Sequence, residues 1–193
     1  MQSVELVSLS GAVAVVTGGG RGIGQSISTK LAAMGATVVL TGRDEGRVQQ
    51  AAADLTARGC KAEGISCDVT DLASVDALGE RLRATHGRVD VLVNNAGFGG
   101  PPGLLHELSP EDWEAIFNTN LRGVYYMLRA VVPLMIVAGA GHIINISSLA
   151  GKNPLPRGAA YSASKWGLNG LTYGVAEELR AHNIRVSVIC PGS

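Results

Sequence analysis

Short, uninterrupted runs of apolar residues recur along the chain and alternate with segments of helical periodicity. The first run, at 12–16, is rich in β-branched residues, and Gly11 and Thr17-Gly18 bound it. Because polar and apolar residues do not alternate within it, the run predicts a strand that is buried on both faces. By the same reasoning, strands are predicted at 37–40, 62–66, 89–93, 142–146 and 185–189, and helices at 22–34, 45–58, 72–86, 110–137 and 159–181.

The predicted elements follow one another in the order βαβαβαβαβαβ. Buried strands that alternate with helices are typical of an α/β protein with a parallel sheet covered on both faces. Right-handed crossovers then produce a doubly wound sheet of the Rossmann type, in three layers and with at least six strands. Neither a repeat nor a low-complexity linker divides the sequence, so residues 1–193 are predicted to form a single domain. Ligands bind such sheets at the carboxyl ends of the strands.

Composition narrows the class of protein. The chain has 193 residues with 16 Lys and Arg against 16 Asp and Glu, so the formal net charge is zero. Nucleic-acid binders normally carry a basic excess, and we therefore expect no nucleic-acid partner. The 26 glycines are about twice the usual share of roughly 7% and, without a G-x-y period, need a local backbone explanation.

Cysteine usage and hydropathy predict a cytoplasmic protein without a membrane partner. Cys60, Cys67 and Cys190 are odd in number and lack C-x-x-C spacing, which suits free thiols in a reducing compartment. Residues 1–10 do not have the pattern of a signal peptide, and the apolar run at 130–140 is too short to span a bilayer. The histidines show no metal-ligand spacing, so no metal site is predicted.

A glycine-rich segment, Thr-Gly-Gly-Gly-Arg-Gly-Ile-Gly at 17–24, joins the first strand to the first helix. Glycines allow a backbone to approach a pyrophosphate, and a helix N-terminus offers it free N–H groups. The spacing is G-x-x-x-G-x-G rather than the common G-x-G-x-x-G. The alternative is a tight strand-to-helix corner, but the place at the first βα turn favours phosphate binding. The residues predicted to contact the phosphates are Gly18, Gly20, Arg21, Gly22, Ile23 and Gly24.

The end of the second strand bears on the choice between nicotinamide cofactors. Folds that prefer NAD carry an Asp or Glu about 20 residues past the loop, which binds the ribose hydroxyls. Here Gly42 occupies the strand end and Arg43 follows it; an arginine pairs well with a 2′-phosphate. Arg21 is placed to reach the same phosphate. We therefore expect NADP(H) in preference to NAD(H), unless Asp44 binds the ribose; Asp44 is also a candidate cap of the next helix.

Short polar motifs at the later strand ends and in the last two predicted helices complete a pattern that resembles a known family. The motifs are Asp68-Val69, Asn94-Asn95-Ala96-Gly97, Asn120, Ser147-Ser148, Tyr161-Ser-Ala-Ser-Lys165 and Pro191-Gly192. Each is weak alone. In this order, and with the glycine segment, they resemble the short-chain dehydrogenases/reductases of the TGxxxGxG and YxxxK type. The general likeness is to bacterial ketoacyl-carrier-protein reductases and related alcohol dehydrogenases.

The resemblance implies four catalytic residues. Tyr161 would donate a proton in reduction and accept one in oxidation, and Lys165, on the same helix face, would favour its phenolate form. Lys165 would also hold the nicotinamide ribose, and Ser148 would donate to the substrate carbonyl oxygen. Asn120 would hold a water that links Lys165 to solvent. Taken singly, Tyr161 is equally well a packing residue, Ser148 a turn or cap residue and Asn120 a surface residue.

The resemblance also assigns the remaining cofactor contacts. Asp68 and Val69 would flank the adenine, with Asp68 accepting from its amino group. Small residues at 94–97 would admit the adenosine ribose, while the amide side chains satisfy the loop backbone. The further residues expected to contact the dinucleotide are Asn95, Ala96, Gly97, Tyr161, Lys165, Pro191 and Gly192.

These assignments predict an enzyme that transfers a hydride between NADP(H) and a carbonyl or secondary alcohol. A ketoacyl thioester is one candidate, because Lys152 and Arg157 in the segment 149–158 would attract an acidic or carrier-bound substrate. The family also implies a homodimer or homotetramer formed through the long helix and the Tyr161 helix. The apolar residues expected at that interface, unless they pack on the sheet, are Val124, Met127, Leu128, Val131 and Val132.

The length suggests an alternative. Family members run to about 250 residues, whereas this chain stops at Ser193, soon after the sixth strand. We therefore expect the C-terminal part of the usual fold, including a nicotinamide-contacting Thr and a substrate lid, to be missing from the chain, either because the protein is truncated or because its sequence continues past Ser193. The alternative function is a truncated or impaired dinucleotide-binding module that acts as a sensor or scaffold. The complete set of four catalytic residues favours an enzyme, and the glycine spacing disfavours an epimerase or dehydratase.

Overall fold

Six parallel strands in one sheet form the centre of the computed structural model, which describes residues 8–192. The order β3-β2-β1-β4-β5-β6 places the switch point between β1 and β4, and it confirms the predicted doubly wound parallel sheet. Residues 1–7, where we expected no signal peptide, lie outside the described part. The strands are β1 (Val13–Thr17), β2 (Thr37–Gly42), β3 (Lys61–Ser66), β4 (Val91–Asn94), β5 (Gly141–Ile146) and β6 (Ile184–Ile189).

Successive strand residues point to opposite faces of the sheet, and the central strands are apolar on both. Val15 and Val39 belong to one core, whereas Ala14, Val16 and Leu40 belong to the other. Side chains of α1 and α2 fill the second core, and those of α3, α5 and α6 fill the first. The three predicted layers follow. The helices are α1 (Gly22–Ala33), α2 (Glu45–Thr56), α3 (Leu72–His86), α4 (Pro110–Phe117), α5 (Gly123–Ala138) and α6 (Ala159–Leu179).

The predicted helix at 110–137 contains an interruption that its periodicity does not reveal. A π-helical segment, Asn118–Arg122, lies between α4 and α5. The helical backbone therefore contains one turn that is wider than an α-helical turn. The side chain of Asn120, at its centre, is fully buried and bonds to two other parts of the chain. π-Helical turns are frequent at functional sites, and this one carries a predicted catalytic residue.

The apolar run at 130–140 belongs to a longer helical stretch. Pro110–Ala138 is 29 residues long, and by length and composition it is apolar enough to cross a membrane. One apolar face of it, however, which includes Met127, Val131 and Met135, packs on the sheet together with side chains of α3 and α6. We therefore interpret it as a core helix.

The same packing corrects the residues that we predicted at a subunit interface. Of these, Val124, Met127, Leu128 and Val131 are buried in the core beneath α5 and are not available to a partner. Only Val132 is partly exposed. The prediction failed because an apolar helix with two apolar faces gives no indication of which face the sheet covers. The large apolar side chains that α5 and α6 expose are instead Tyr125, Ile136, Val137, Trp166 and Tyr173.

A buried polar chain joins the sheet to α6. The Asn94 amide on β4 donates to Asn145 Oδ1 on β5 (2.8 Å), and the Asn145 amide donates to Thr172 Oγ1 on α6 (2.9 Å). Thr172 in turn donates to the Leu168 carbonyl (2.7 Å). Because buried hydrogen bonds are directional and costly to break, they fix the position of α6 along the two strands that precede the predicted catalytic loops.

Candidate active site

The glycine segment forms an open anion site at the N-terminus of α1. Asp44, Asp71 and Ser109 cap α2, α3 and α4 with a side-chain oxygen, but Arg21 at the corresponding position of α1 makes no such bond. The first turn of α1 also contains no acidic residue. The free N–H groups and the positive end of the helix dipole are therefore left for a ligand, as phosphate binding requires.

Gly24 has a packing reason to be a glycine. A Cβ at this position would lie 2.2 Å from the Gly18 carbonyl oxygen and 2.5 Å from Asn95 Nδ2. Any side chain here would therefore push α1 away from the strand end. Gly18 itself has φ +64°, which favours glycine. Gly24 thus lets the helix close on the segment, and it is not among the residues that line the cleft described below.

The loop after β4 is fastened to the glycine segment by Asn95 and Thr17. Asn95 Nδ2 donates to the carbonyls of Thr17 (2.9 Å) and Gly18 (3.3 Å). In the opposite direction, Thr17 Oγ1 accepts from the backbone N–H groups of Asn95 and Ala96, both at 3.0 Å. Amide side chains were predicted to satisfy the loop backbone, and Asn95 does so. Its partner Thr17 was not recognised from the sequence.

A cleft of about 670 Å³ opens where these two loops meet. This is a suitable size for a dinucleotide-type ligand, and it lies at the switch point where doubly wound folds bind ligands. Of the predicted cofactor residues, Gly24, Tyr161, Lys165, Pro191 and Gly192 do not line it. Those that do are Gly18, Gly20, Arg21, Gly22, Ile23, Arg43, Asp68, Val69, Asn95, Ala96 and Gly97.

Three arginines line the cleft: Arg21, Arg43 and Arg47. Sequence reasoning missed Arg47, although its place one turn into α2 was a usable signal. A Cβ on Gly20 would lie 3.3 Å from Arg47 Cγ, so this side chain packs against the glycine segment. Asp44 caps α2 through the Arg47 N–H (3.0 Å) and accepts from Arg47 Nε (3.3 Å). These bonds lower the pKa of Asp44 and occupy the carboxylate, as the capping interpretation expected.

Asp68, which follows β3, lines the same cleft. Its Oδ1 accepts from the backbone N–H and the hydroxyl of Thr70, at 2.9 and 2.8 Å. A turn of this kind holds the carboxylate in place through one of its two oxygens. The other oxygen is the one with which Asp68 would accept from an adenine amino group.

Lys165 on α6 is a buried ammonium. Only 4% of the residue is exposed, and Nζ donates to the Ile146 carbonyl at the end of β5 (2.9 Å). Desolvation lowers the pKa of Lys165 to about 8, so the charged form dominates at neutral pH and is lost as the pH rises through that value. Nζ lies 5.8 Å from the centroid of the Tyr161 ring. The charge is thus close enough to act on the phenol.

The hydroxyl of Ser148 combines the two roles that the sequence left open. It caps the short 3₁₀ helix Leu149–Gly151 by accepting from the Ala150 N–H (3.1 Å). Because this bond uses an oxygen lone pair, the hydroxyl hydrogen stays available to a substrate carbonyl. The Leu149 N–H donates to the Pro191 carbonyl (2.9 Å). Pro191 therefore holds the loop that carries Ser148, which explains its place outside the cleft.

The Asn120 amide joins two other parts of the chain. Both amide hydrogens are engaged, by the Phe98 carbonyl (2.9 Å) and the Ser164 hydroxyl (3.0 Å), and Oδ1 accepts from the Phe98 N–H (2.8 Å). Its amide therefore has no hydrogen left for a water, and the proposed water link to Lys165 stays a prediction. Ser164 was not singled out from the sequence, because a small polar residue between Tyr161 and Lys165 carries no signal of its own.

Comparisons with known proteins agree with this geometry. The family model described as short chain dehydrogenase matches residues 12–193. A metagenomic short-chain oxidoreductase in complex with NADP is 54% identical, with a TM-score of 0.92 over 96% of this chain and 84% of that one. The 3-oxoacyl-[acyl-carrier-protein] reductase of Escherichia coli K12 is 39% identical over 186 residues, which are 96% of this chain and 75% of the relative.

A structure of NAD⁺-bound xylitol dehydrogenase also matches, at 33% identity and a TM-score of 0.92, over 95% of this chain and 71% of that one. The chain belongs to the short-chain dehydrogenase family. It is an oxidoreductase that acts on carbonyl or alcohol groups with a dinucleotide cofactor. Neighbours that hold NADP and NAD show that the fold accepts both.

We expect Gly24→Ala to disturb the cleft rather than the fold as a whole. The added Cβ meets backbone at 2.2 Å, so the glycine segment must move. NADPH affinity should fall by about tenfold or more, and the free energy of unfolding by about 1–3 kcal/mol. Titration calorimetry and urea denaturation measure the two effects.

The matched control is Gly174→Ala in α6, where no described atom lies within 4 Å of the new Cβ. This variant should bind NADPH normally and be at most about 1 kcal/mol more stable. Equal affinities of the two variants for NADPH would show that Gly24 does not shape the phosphate site.

Proposed function

We propose that the protein is an NADP(H)-dependent oxidoreductase that transfers a hydride between the nicotinamide and a carbonyl or secondary alcohol. The observation that carries the proposal is the buried Lys165 ammonium, which lies close to the Tyr161 ring and beside the end of β5. Within residues 8–192 no carboxylate pairs with Lys165, and a buried ammonium without such a partner is costly. Buried charged groups of this kind are common at catalytic sites.

The residues of the cleft fit a dinucleotide. The uncapped N-terminus of α1 would bind the pyrophosphate through Gly22, Ile23 and the adjoining glycines, and Asp68 would accept from the adenine. The Asn95–Gly97 segment would contact the adenosine ribose, and Lys165 the nicotinamide ribose. The bound nicotinamide supplies or accepts the hydride. The protein must then position the carbonyl and move one proton.

The proton steps belong to Tyr161, Lys165 and Ser148. The Ser148 hydroxyl would donate to the substrate oxygen and stabilise the charge that develops on it. Tyr161 would give its phenolic proton to the same oxygen in reduction and take it back in oxidation. The Lys165 ammonium stabilises the resulting phenolate through space, because the two lie on one face of α6.

The arginines support NADP(H) over NAD(H). Arg21, Arg43 and Arg47 all line the cleft, and a 2′-phosphate is a dianion that guanidinium groups bind in a bidentate manner. Asp44 is the acidic group nearest in sequence to the position that would bind a 2′-hydroxyl, but it is engaged by Arg47 and by the cap of α2.

A ketoacyl thioester is the substrate that we propose to test first. Lys152 and Arg157, in the exposed segment after Ser148, offer two cations to an acidic carrier. A panel of ketoacyl thioesters, sugars, steroids and simple ketones, followed by NADPH oxidation, would identify the class. The second candidate function, a sensor or scaffold, predicts NADPH binding without turnover on any member of the panel.

We further propose a cytoplasmic homodimer or homotetramer. The three cysteines are free, as in a reducing compartment. Tyr125, Trp166 and Tyr173 are each more than half exposed on the outward faces of α5 and α6, and exposed aromatic residues of this kind are enriched at interfaces. Light scattering that shows only monomer would overturn the oligomer.

We expect Tyr161→Phe to abolish turnover while NADPH binding persists. The substitution removes the proton donor and leaves the ring in place, so kcat should fall by about a thousandfold or more. NADPH affinity should stay within about threefold. Tyr173→Phe, an equivalent change on the exposed face of the same helix, should keep the wild-type kcat and NADPH affinity. Residual turnover of Tyr161→Phe at the level of the Tyr173→Phe control would remove Tyr161 from its role.

We expect Arg43→Asp to shift the cofactor preference towards NADH. A carboxylate at this position repels the 2′-phosphate and can accept from a 2′-hydroxyl. The ratio of kcat/KM for NADPH to that for NADH should fall by about a hundredfold. Arg58→Asp, the same charge change on a residue that does not line the cleft, is the control. An unchanged ratio in Arg43→Asp would mean that Arg43 does not recognise the phosphate.

A further inference from the structure

We propose that Ser164 is a positioning residue whose hydroxyl ties the turn that carries Tyr161 to the wall of the cofactor cleft. The proposal rests on the function proposed above. Ser164 lies between Tyr161 and Lys165 in sequence, and it is fully buried. It therefore acts on the site through its hydrogen-bond partners.

The Ser164 hydroxyl makes two bonds of opposite sense. It donates to the Tyr161 carbonyl (2.7 Å) and accepts from Asn120 Nδ2 (3.0 Å). A hydroxyl has one hydrogen and can accept at the same time, so both bonds form together. One oxygen atom thus connects the first turn of α6 to the π-helical segment between α4 and α5.

Asn120 continues the connection to the cleft. Its amide pairs with both the N–H and the carbonyl of Phe98, at 2.8 and 2.9 Å. Phe98 and the preceding Ala96 and Gly97 line the cleft, as does Thr119 in the π-helical segment. The path from the cleft wall to the Tyr161 backbone therefore consists of one amide and one hydroxyl.

A close approach at Gly97 adds a second constraint on the same unit. A Cβ on Gly97 would lie 3.4 Å from Asn120 Oδ1 and 3.7 Å from Lys165 Nζ. The loop wall, Asn120 and the catalytic lysine are thus packed around a single backbone position. A shift of the Tyr161 turn would have to move at least one of them.

Ser162, another buried serine on the same helix, provides the matched control. Ser162 is 7% exposed, and within residues 8–192 its hydroxyl has no hydrogen-bond partner. Removing the Ser162 hydroxyl therefore breaks no bond. Removing that of Ser164 leaves a buried Asn120 hydrogen unpaired. Both alanine variants remove one serine hydroxyl from the same helix. Only Ser164→Ala also removes the hydrogen bonds to Asn120 and to the Tyr161 carbonyl.

The first measurement is steady-state kinetics together with NADPH titration. We expect Ser164→Ala to lower kcat by about tenfold or more, while KM and the NADPH dissociation constant change by less than about threefold. Ser162→Ala should keep wild-type values. A kcat of folded Ser164→Ala equal to that of Ser162→Ala would overturn the proposal, even if Ser164→Ala melts at a lower temperature. Should Ser164→Ala not fold, Ser164→Cys keeps the volume closer and weakens both bonds.

The second measurement does not depend on activity. Amide hydrogen exchange of the ligand-free protein reports the bond from the Phe98 N–H to Asn120. We expect exchange at Phe98 to be about tenfold or more faster in Ser164→Ala than in Ser162→Ala. Equal rates would overturn the connection. If the wild-type protein turned over no substrate, the proposed function would fail, whereas this exchange difference would still test the tie between Ser164, Asn120 and the loop.

Discussion

The hydrogen bonds between Thr17 and Asn95 are the constraint on which the site depends. They join the loop after β1 to the loop after β4, and these two strands are neighbours at the switch point of the sheet. Helices leave the two strands towards opposite faces of the sheet, so a crevice between the loops is unavoidable. The side-chain amide of Asn95 holds the two loops together at the base of this crevice, because it donates to the carbonyls of Thr17 and Gly18, which need hydrogen-bond partners.

The chemistry depends on a second rigid unit, the N-terminal half of α6. The polar chain Asn94–Asn145–Thr172 fixes this helix along β4 and β5, and Lys165 reaches back to the end of β5. Tyr161 is therefore held against the same strand ends as the Ser148 loop. Catalytic groups on a helix that is anchored in this way stay within the narrow geometry that proton transfer requires.

Much of the fold could be predicted because the central strands are apolar on both faces, a pattern that few other elements share. The π-helical segment could not, since an added residue in one turn leaves the apolar periodicity of α4 and α5 almost unchanged. The interface residues were predicted wrongly for a related reason: Val131 and Met127 are apolar in the sequence whichever side the sheet occupies. At the site, the family motifs indicated Asn95, Ser148 and Lys165, but roles that depend on partners far along the chain were not readable. Arg47 and Ser164 became visible only through the groups they contact.

The Asn95 amide holds together the two loops that form the dinucleotide cleft, and NADPH titration of Asn95→Ala tests this most directly. The variant loses the two side-chain hydrogen bonds to the carbonyls of Thr17 and Gly18. The arginines of the cleft and the N-terminus of α1 are unchanged. By calorimetry, with the folded state verified by circular dichroism, its affinity for NADPH should be lower than that of the wild type by about tenfold or more. Wild-type affinity in the folded variant would contradict the account.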